Sequence, residues 1–203
     1  LNALRARRDQ PTTVATRVFA AAVFGEDAPY GHPADGTAAS LSAMSRADVT
    51  GFYRTYYRPG NAVLVVVGDV TPDRATALAT AALGGWEGKT AASDPTPIAP
   101  AALAATVYLV DKPKAAQSEI RIGGVGAART SPDFYSLSVL NMILGGQFSS
   151  RINLNIREHK GYTYGARSSF TFLRGPGPSM ASGGVVSAKT DSSLVELMRE
   201  LVD

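Results

Sequence analysis

An arginine and a tyrosine lie seven residues apart in the segment Arg-Glu-His-Lys-Gly-Tyr-Thr-Tyr, which runs from Arg157 to Tyr164. A guanidinium and a phenol both donate hydrogen bonds, so the two side chains on one surface suit the binding of a peptide carbonyl. Taken alone, an Arg and a Tyr at this spacing are more often a structural pair. The surrounding elements therefore decide between the two interpretations.

The elements around this pair would place it across a helix end. A glycine-rich turn from Gly145 to Arg151 leads into a helix that carries Arg157. We predict that Gly161 ends this helix, because a residue without a Cβ adopts the left-handed closing conformation at little cost. Tyr164 then lies on a new strand over residues 163–172.

The second half of the chain predicts an α+β fold. Polar and apolar residues alternate over 118–123, as in a strand with one wet face, and residues 106–110 form a second candidate strand. A buried helix begins at Ser131, a Gly/Pro hairpin at 174–178 precedes another strand, and a helix ends the chain. These elements predict a mostly antiparallel sheet with helices packed on one face.

The first half predicts a similar unit. A helical stretch breaks near Pro11, Ser45 and Asp48 form a capping box, and Thr71 caps a further helix. The apolar run Val63–Val67 has strand length and should be buried on both faces. We predict one domain over residues 1–90, a proline-containing linker over 91–105 and a second domain over 106–203.

Composition excludes several classes of protein. The chain has 203 residues, 45% of them hydrophobic, a net charge of +3 and no cysteine, and it contains no apolar run of the roughly 18 residues that span a bilayer. We therefore expect no membrane segment, no disulfide and no thiol chemistry. The small basic excess predicts a solvated face and no nucleic-acid partner. These properties do not choose between the periplasm and the cytoplasm.

Motifs for metal binding are also missing. The two histidines, His32 and His159, are far apart in sequence, and neither belongs to a His-x-x-Glu-His pattern. Because zinc needs three or four converging ligands, we predict no metal site in this chain.

Two long motifs resemble the pitrilysin/insulinase family of zinc metallopeptidases. One includes Tyr30–Pro33 and Phe52–Val70, and the other includes Leu144–Arg151 followed by Arg157–Tyr164. In that family two similar α+β domains form one half of a clamshell. The other half comes from the same chain or from a partner chain, and an extended peptide is enclosed between them.

The resemblance implies roles for individual residues. Arg157 and Tyr164 match the catalytic pair that reaches the substrate backbone, where both donate to a carbonyl and to its oxyanion. Gly145, Gly146, Gln147 and Phe148 match a loop that some members use in substrate handling. The alternative for the glycines is a tight turn between helices.

The departures from the family matter as much. The His-x-x-Glu-His motif would lie before Leu1, and the third zinc ligand, a Glu, should fall near Ala3 or Leu4, but residues 1–8 contain no carboxylate. We therefore expect a fragment of a non-catalytic, substrate-binding member of a bacterial two-subunit peptidase. Zinc would then lie in a homologous partner subunit or an upstream domain. The alternatives are a fragment of a complete zinc endopeptidase and a structural subunit related to the family.

Overall fold

The computed structural model describes residues 2–88 and 105–202. The chain divides into two compact units, unit 1 (Leu1–Thr37 with Thr96–Asp203) and unit 2 (Ala38–Pro95). In chain order the elements are α1 (Asn2–Arg8), α2 (Pro11–Phe24), α3 (Ala38–Ala43), α4 (Arg46–Tyr56), α5 (Pro72–Leu83), β1 (Gln117–Val125), α6 (Phe134–Asn141), α7 (Arg151–Asn153), β2 (Thr163–Phe170), β3 (Pro178–Val186) and α8 (Thr190–Val202). Within the described ranges, no helix is both long and apolar enough to cross a membrane.

Unit 1 is built on a three-stranded antiparallel sheet in the order β1-β3-β2. Helix α6 continues into a π-helical turn (Met142–Gly146), and α7 continues into another (Leu154–His159). We call residues 151–159, which are α7 with its π-helical turn, the site helix. Ile152 and Ile156 occupy one face of the site helix, and both are fully buried.

These isoleucines join one core between the helices and the sheet, formed by Ile120, Ile152, Ile156, Ala166, Ala181, Val185 and Leu197. Leu197 comes from α8, whose apolar face covers the sheet beside the site helix. Helix α2 packs against β1, and Thr12 donates a hydrogen bond of 3.0 Å to Glu119. Because Glu119 and Ile120 alternate along β1, α2 lies on the face opposite the core.

Unit 2 contains helices α3, α4 and α5. The predicted capping box is confirmed, since the Ser45 side chain accepts from the backbone N–H of Asp48 and the Asp48 carboxylate accepts from that of Ser45. Thr71 caps α5, and Pro72 occupies its first turn, as predicted.

Two predicted strands are wrong for this chain. Val63–Val67 is not in a strand, and its side chains are exposed, up to 92% at Val67. Residues 106–110 are likewise outside any strand, with Leu109 exposed. The physical reason is that a strand requires a hydrogen-bonded neighbour. In the described part of unit 2 no strand is present to pair with Val63–Val67.

The predicted α+β class is confirmed by the antiparallel sheet and its packed helices. Helix α2 adds a helix on the other face at β1. The domain boundaries at 90 and 106 stay a prediction, because most of the proposed linker, 91–105, lies outside the described residues.

Candidate functional site

The site helix positions Arg157 directly after its buried face. Ile156 is fully buried, and Arg157, the next residue, is half-buried with part of its guanidinium at the surface. Gly161 follows at φ +66° and donates its N–H to the Arg157 carbonyl at 3.1 Å. The predicted left-handed end of the helix is therefore confirmed.

The Arg157 guanidinium lies over an aromatic ring. Its central carbon is 4.4 Å from the centroid of the Phe148 ring, and Nη1 is 3.2 Å from a carboxylate oxygen of Glu158. Nη1 is buried, yet it has no hydrogen-bond partner with good geometry among the described residues. A cation–π contact with the ring and an ion pair with Glu158 thus hold the guanidinium.

Tyr164 lies on a bulge at the start of β2. Thr163 pairs with Val185 and Ala166 with Gly183, so three steps along β2 face two steps along β3. The extra residue turns Thr163 and Ala166 both toward the core and leaves Tyr164 and Gly165 facing outward. The Tyr164 residue is 91% exposed.

The predicted glycine turn has two different surroundings. Gly145 is buried against β2, where an added Cβ would come within 2.2 Å of the Ser168 backbone nitrogen. Gly146, Gln147 and Phe148 are exposed. The close packing of Gly145 favours the tight-turn interpretation for that residue, while Phe148 contributes its ring to Arg157.

Asn153 is a buried residue that bonds both the Phe148 turn and the Tyr164 bulge, and the sequence analysis did not single it out. Only 5% exposed, it donates from Nδ2 to the Phe148 carbonyl at 2.7 Å and accepts the Ala166 N–H on Oδ1 at 3.2 Å. Its one sequence signal was a polar amide directly after the apolar Ile152 in the predicted helix. The structure thus brings Arg157 and Phe148 into contact and links the Phe148 backbone to the bulge that carries Tyr164. The roles of these residues remain predictions.

Polar contacts from Asn155 and from Lys160, the residue after the site helix, tie this segment to α8. Glu196 accepts a hydrogen bond from Asn155 Nδ2 at 3.0 Å and lies 3.3 Å from the Lys160 ammonium. The hydrogen bond from Asn155 lowers the pKa of Glu196 below its ordinary value of 4.5, and Lys160 and Arg199 lower it further against the effect of burial.

The described residues do not fit a zinc centre. Across residues 2–88 and 105–202, no three His, Cys, Asp or Glu side chains come together as a metal site would require. His32 and His159 are both exposed.

Comparison with known proteins identifies a family for this chain. Residues 43–203 match the model of the peptidase M16 inactive domain. The chain is 32% identical over 168 residues to an uncharacterised zinc protease of Streptomyces coelicolor, covering 79% of this chain and 36% of that protein. An uncharacterised zinc protease of Mycobacterium leprae is 31% identical over 178 residues, covering 87% of this chain and 40% of the relative.

The fold has a solved counterpart. A crystal structure of a peptidase M16 inactive domain from Pseudomonas fluorescens superimposes with a TM-score of 0.92 at 27% identity, over 99% of this chain and 48% of that one. The chain therefore spans less than half the length of these relatives. The family resemblance seen in the sequence is confirmed: this chain belongs to the peptidase M16 family, whose inactive domain its residues 43–203 match.

Proposed function

We propose that the chain is the substrate-binding, non-zinc part of an M16 peptidase and supplies Arg157 and Tyr164 to a chamber shared with a zinc-bearing subunit or domain. The ligand is an extended peptide. The exposed tyrosine carries the proposal, because a phenol that is 91% exposed contributes little to the fold of its own unit. In the structural-pair interpretation, both side chains would be buried within unit 1.

The chemistry of the two side chains supports this role. The Arg157 guanidinium lies over the Phe148 ring, its Nη1 is 3.2 Å from a Glu158 carboxylate oxygen, and its side chain is 32% exposed. The Tyr164 hydroxyl is a second donor on the neighbouring bulge. Donors that are already in place stabilise the oxyanion that forms when a peptide carbonyl is attacked, because little reorganisation is needed during the reaction.

The glycine turn would complete the substrate surface. Gln147 and Phe148 are exposed, the Phe148 ring lies against Arg157, and Gly145 holds the turn close to β2. In this proposal the turn contacts peptide side chains, while Arg157 and Tyr164 contact the peptide backbone.

The test is Tyr164→Phe in the assembly with its zinc-bearing partner, assayed with a quenched fluorescent peptide that is unstructured in solution. We expect kcat to fall by on the order of 10²- to 10³-fold, as for loss of one oxyanion donor, with little change in Tm. Tyr135→Phe is the matched control, because Tyr135 is also an exposed tyrosine but lies on α6. Unchanged turnover in Tyr164→Phe, or equal losses in both variants, would refute the proposal.

A second candidate is a single-chain zinc endopeptidase in which the same surface serves a metal bound elsewhere in one polypeptide. It is favoured by the names of the relatives, which are zinc proteases at least twice as long as this chain. Zinc analysis of the full-length gene product separates the two candidates. One tightly bound zinc per polypeptide supports the second, and zinc found only in a separate subunit supports the first.

A further inference from the structure

We propose that Asn153 is a positioning residue that fixes the Phe148 turn and the Tyr164 bulge relative to each other. The inference deepens the proposed function, on which it rests for the roles of Arg157 and Tyr164. It begins from one buried amide that bonds two backbone groups in two separate segments.

The first of these bonds holds the turn. Asn153 Nδ2 donates to the Phe148 carbonyl at 2.7 Å, and the Phe148 ring in turn lies 4.4 Å from the Arg157 guanidinium. Because the carbonyl and the ring belong to one residue, fixing the carbonyl limits where the ring meets the cation.

The second bond holds the bulge. Ala166 is the first residue after the bulge, and its N–H is donated to Asn153 Oδ1. A bulge leaves backbone groups unmatched in the ladder, and an unsatisfied N–H beside the core would be costly. Asn153 therefore satisfies a group whose position depends on the extra residue.

The Thr163 hydroxyl stabilises the bulge at its first residue. Thr163 Oγ1 donates to the Gly184 carbonyl at 2.6 Å and accepts the Gly165 N–H at 3.0 Å. Two side chains thus hold the backbone that follows Tyr164. Thr163 of β2 bonds the Gly165 N–H, and Asn153 of the site helix bonds the Ala166 N–H. Of these two side chains, only that of Asn153 also bonds the Phe148 turn.

Asn155 provides a matched control. It lies on the same site helix, and its Nδ2 bonds Glu196 and Glu200 of α8 at 3.0 and 2.9 Å. It therefore ties the helix to another element and contacts neither the turn nor the bulge in any of these bonds. Asn155→Ala should reproduce the general cost of removing a part-buried amide.

The first arm of the test uses amide exchange and side-chain NMR on the isolated chain. In Asn153→Ala we expect the Ala166 amide to exchange roughly tenfold faster relative to Ser168, and the Arg157 Nε–H resonance to move as the Phe148 ring shifts. Asn155→Ala should leave both signals in place. Equal behaviour of the two variants would overturn the proposal.

Asn153→Asp is a second variant that tests the proposal if Asn153→Ala does not fold. Asp retains an acceptor for Ala166 but, when ionised, has no donor for the Phe148 carbonyl. The Ala166 amide should stay protected while the Arg157 resonance moves. If the Arg157 resonance does not move in Asn153→Asp, the link to the turn is refuted.

The second arm measures kcat and KM of the zinc-containing assembly with the same peptide. We expect Asn153→Ala to lower kcat by on the order of tenfold to a hundredfold. The double variant Asn153→Ala/Tyr164→Phe should lose less than the product of the two single losses, because the part of the Asn153 effect that acts through the Tyr164 hydroxyl is already gone while the part that acts through Arg157 remains. Multiplicative losses would show a merely structural role and overturn the proposal.

The two proposals fail in different ways. If Tyr164→Phe leaves turnover unchanged, the proposed function is wrong, and the NMR arm alone decides whether Asn153 fixes the bulge. If Tyr164→Phe is slow but Asn153→Ala behaves as Asn155→Ala does, the function stands and the positioning role is wrong.

Discussion

The Arg157 side chain is held by Phe148 and Glu158 and still reaches the surface. Its guanidinium lies against the Phe148 ring, and cation–π contacts at exposed sites contribute about 0.5–1 kcal/mol. Such a contact does not use the N–H groups as hydrogen-bond donors, and Nη1 lies 3.2 Å from the Glu158 carboxylate. Lysine would not serve equally, because an ammonium lacks a planar face to stack and a fork of donors.

Glu196 allows a prediction of pH dependence at the scale of one carboxylate. Its pKa is lowered in the folded chain, first by Asn155, so it contributes stability above its ordinary pKa of 4.5 and loses this contribution as pH falls through the lower folded value. Glu196→Gln should lower Tm near neutral pH. It should also reduce the drop in Tm on going from about pH 6 to about pH 3.

Thermal melts across this range check the prediction, with Glu26→Gln as the control, since Glu26 is exposed on a loop of the same unit. If both variants melt with the same pH profile as the parent chain, the contribution of Glu196 is refuted.

Residue-scale reasoning singled out Arg157 and Tyr164 as candidates because their spacing and neighbours form a motif that can be recognised along the chain. It did not reach Asn153. The partners of Asn153 are a carbonyl five residues earlier and an N–H thirteen residues later, and both are backbone groups that every residue type carries. No residue pattern therefore encodes the bridge.

At the scale of elements, Gly145 sets how closely the end of helix α6 approaches β2. A Cβ at this position would lie 2.2 Å from the Ser168 nitrogen, which is backbone and cannot rotate away. Gly145→Ala should therefore cost roughly 1–3 kcal/mol of unfolding free energy through overpacking. Chemical denaturation measures this cost.

The control for this prediction is Gly124→Ala on β1, where an added Cβ meets no atom within 4 Å. Equal destabilisation of the two variants would show that loss of glycine, and not the close approach to β2, is responsible.

Elements with local signals were predicted well. The capping box at Ser45, the cap at Thr71, the stop at Gly161 and the strands on either side of the Gly/Pro hairpin all follow from neighbouring residues. The runs 62–67 and 106–110 have strand-like composition but are not in strands. Composition gives only a preference, because a strand is completed by hydrogen bonds to a neighbour that its own sequence does not specify.

At the scale of the whole molecule, the exposed run Val63–Val67 should govern how the isolated chain behaves in solution. Exposed β-branched residues without charges form segments that pair with other chains. Val65→Lys should therefore reduce concentration-dependent association roughly severalfold and lower the binding of a hydrophobic dye. Light scattering over a concentration series measures the association.

Ala81→Lys on α5 adds the same charge to an exposed position of the same unit and is the control. If it suppresses association as strongly as Val65→Lys, net charge and not the apolar run is the cause.

Because of the extra residue in β2, the position of Tyr164 can change without a change in the residues that face the core. Thr163 and Ala166 both face the core only because Tyr164 and Gly165 lie between them. Deleting Gly165 would restore regular alternation, with Thr163 and Ala166 still facing inward, so the packed interior would survive while the phenol moved to a new place opposite Gly184. Deleting one codon would thus move the proposed site tyrosine and leave the domain folded.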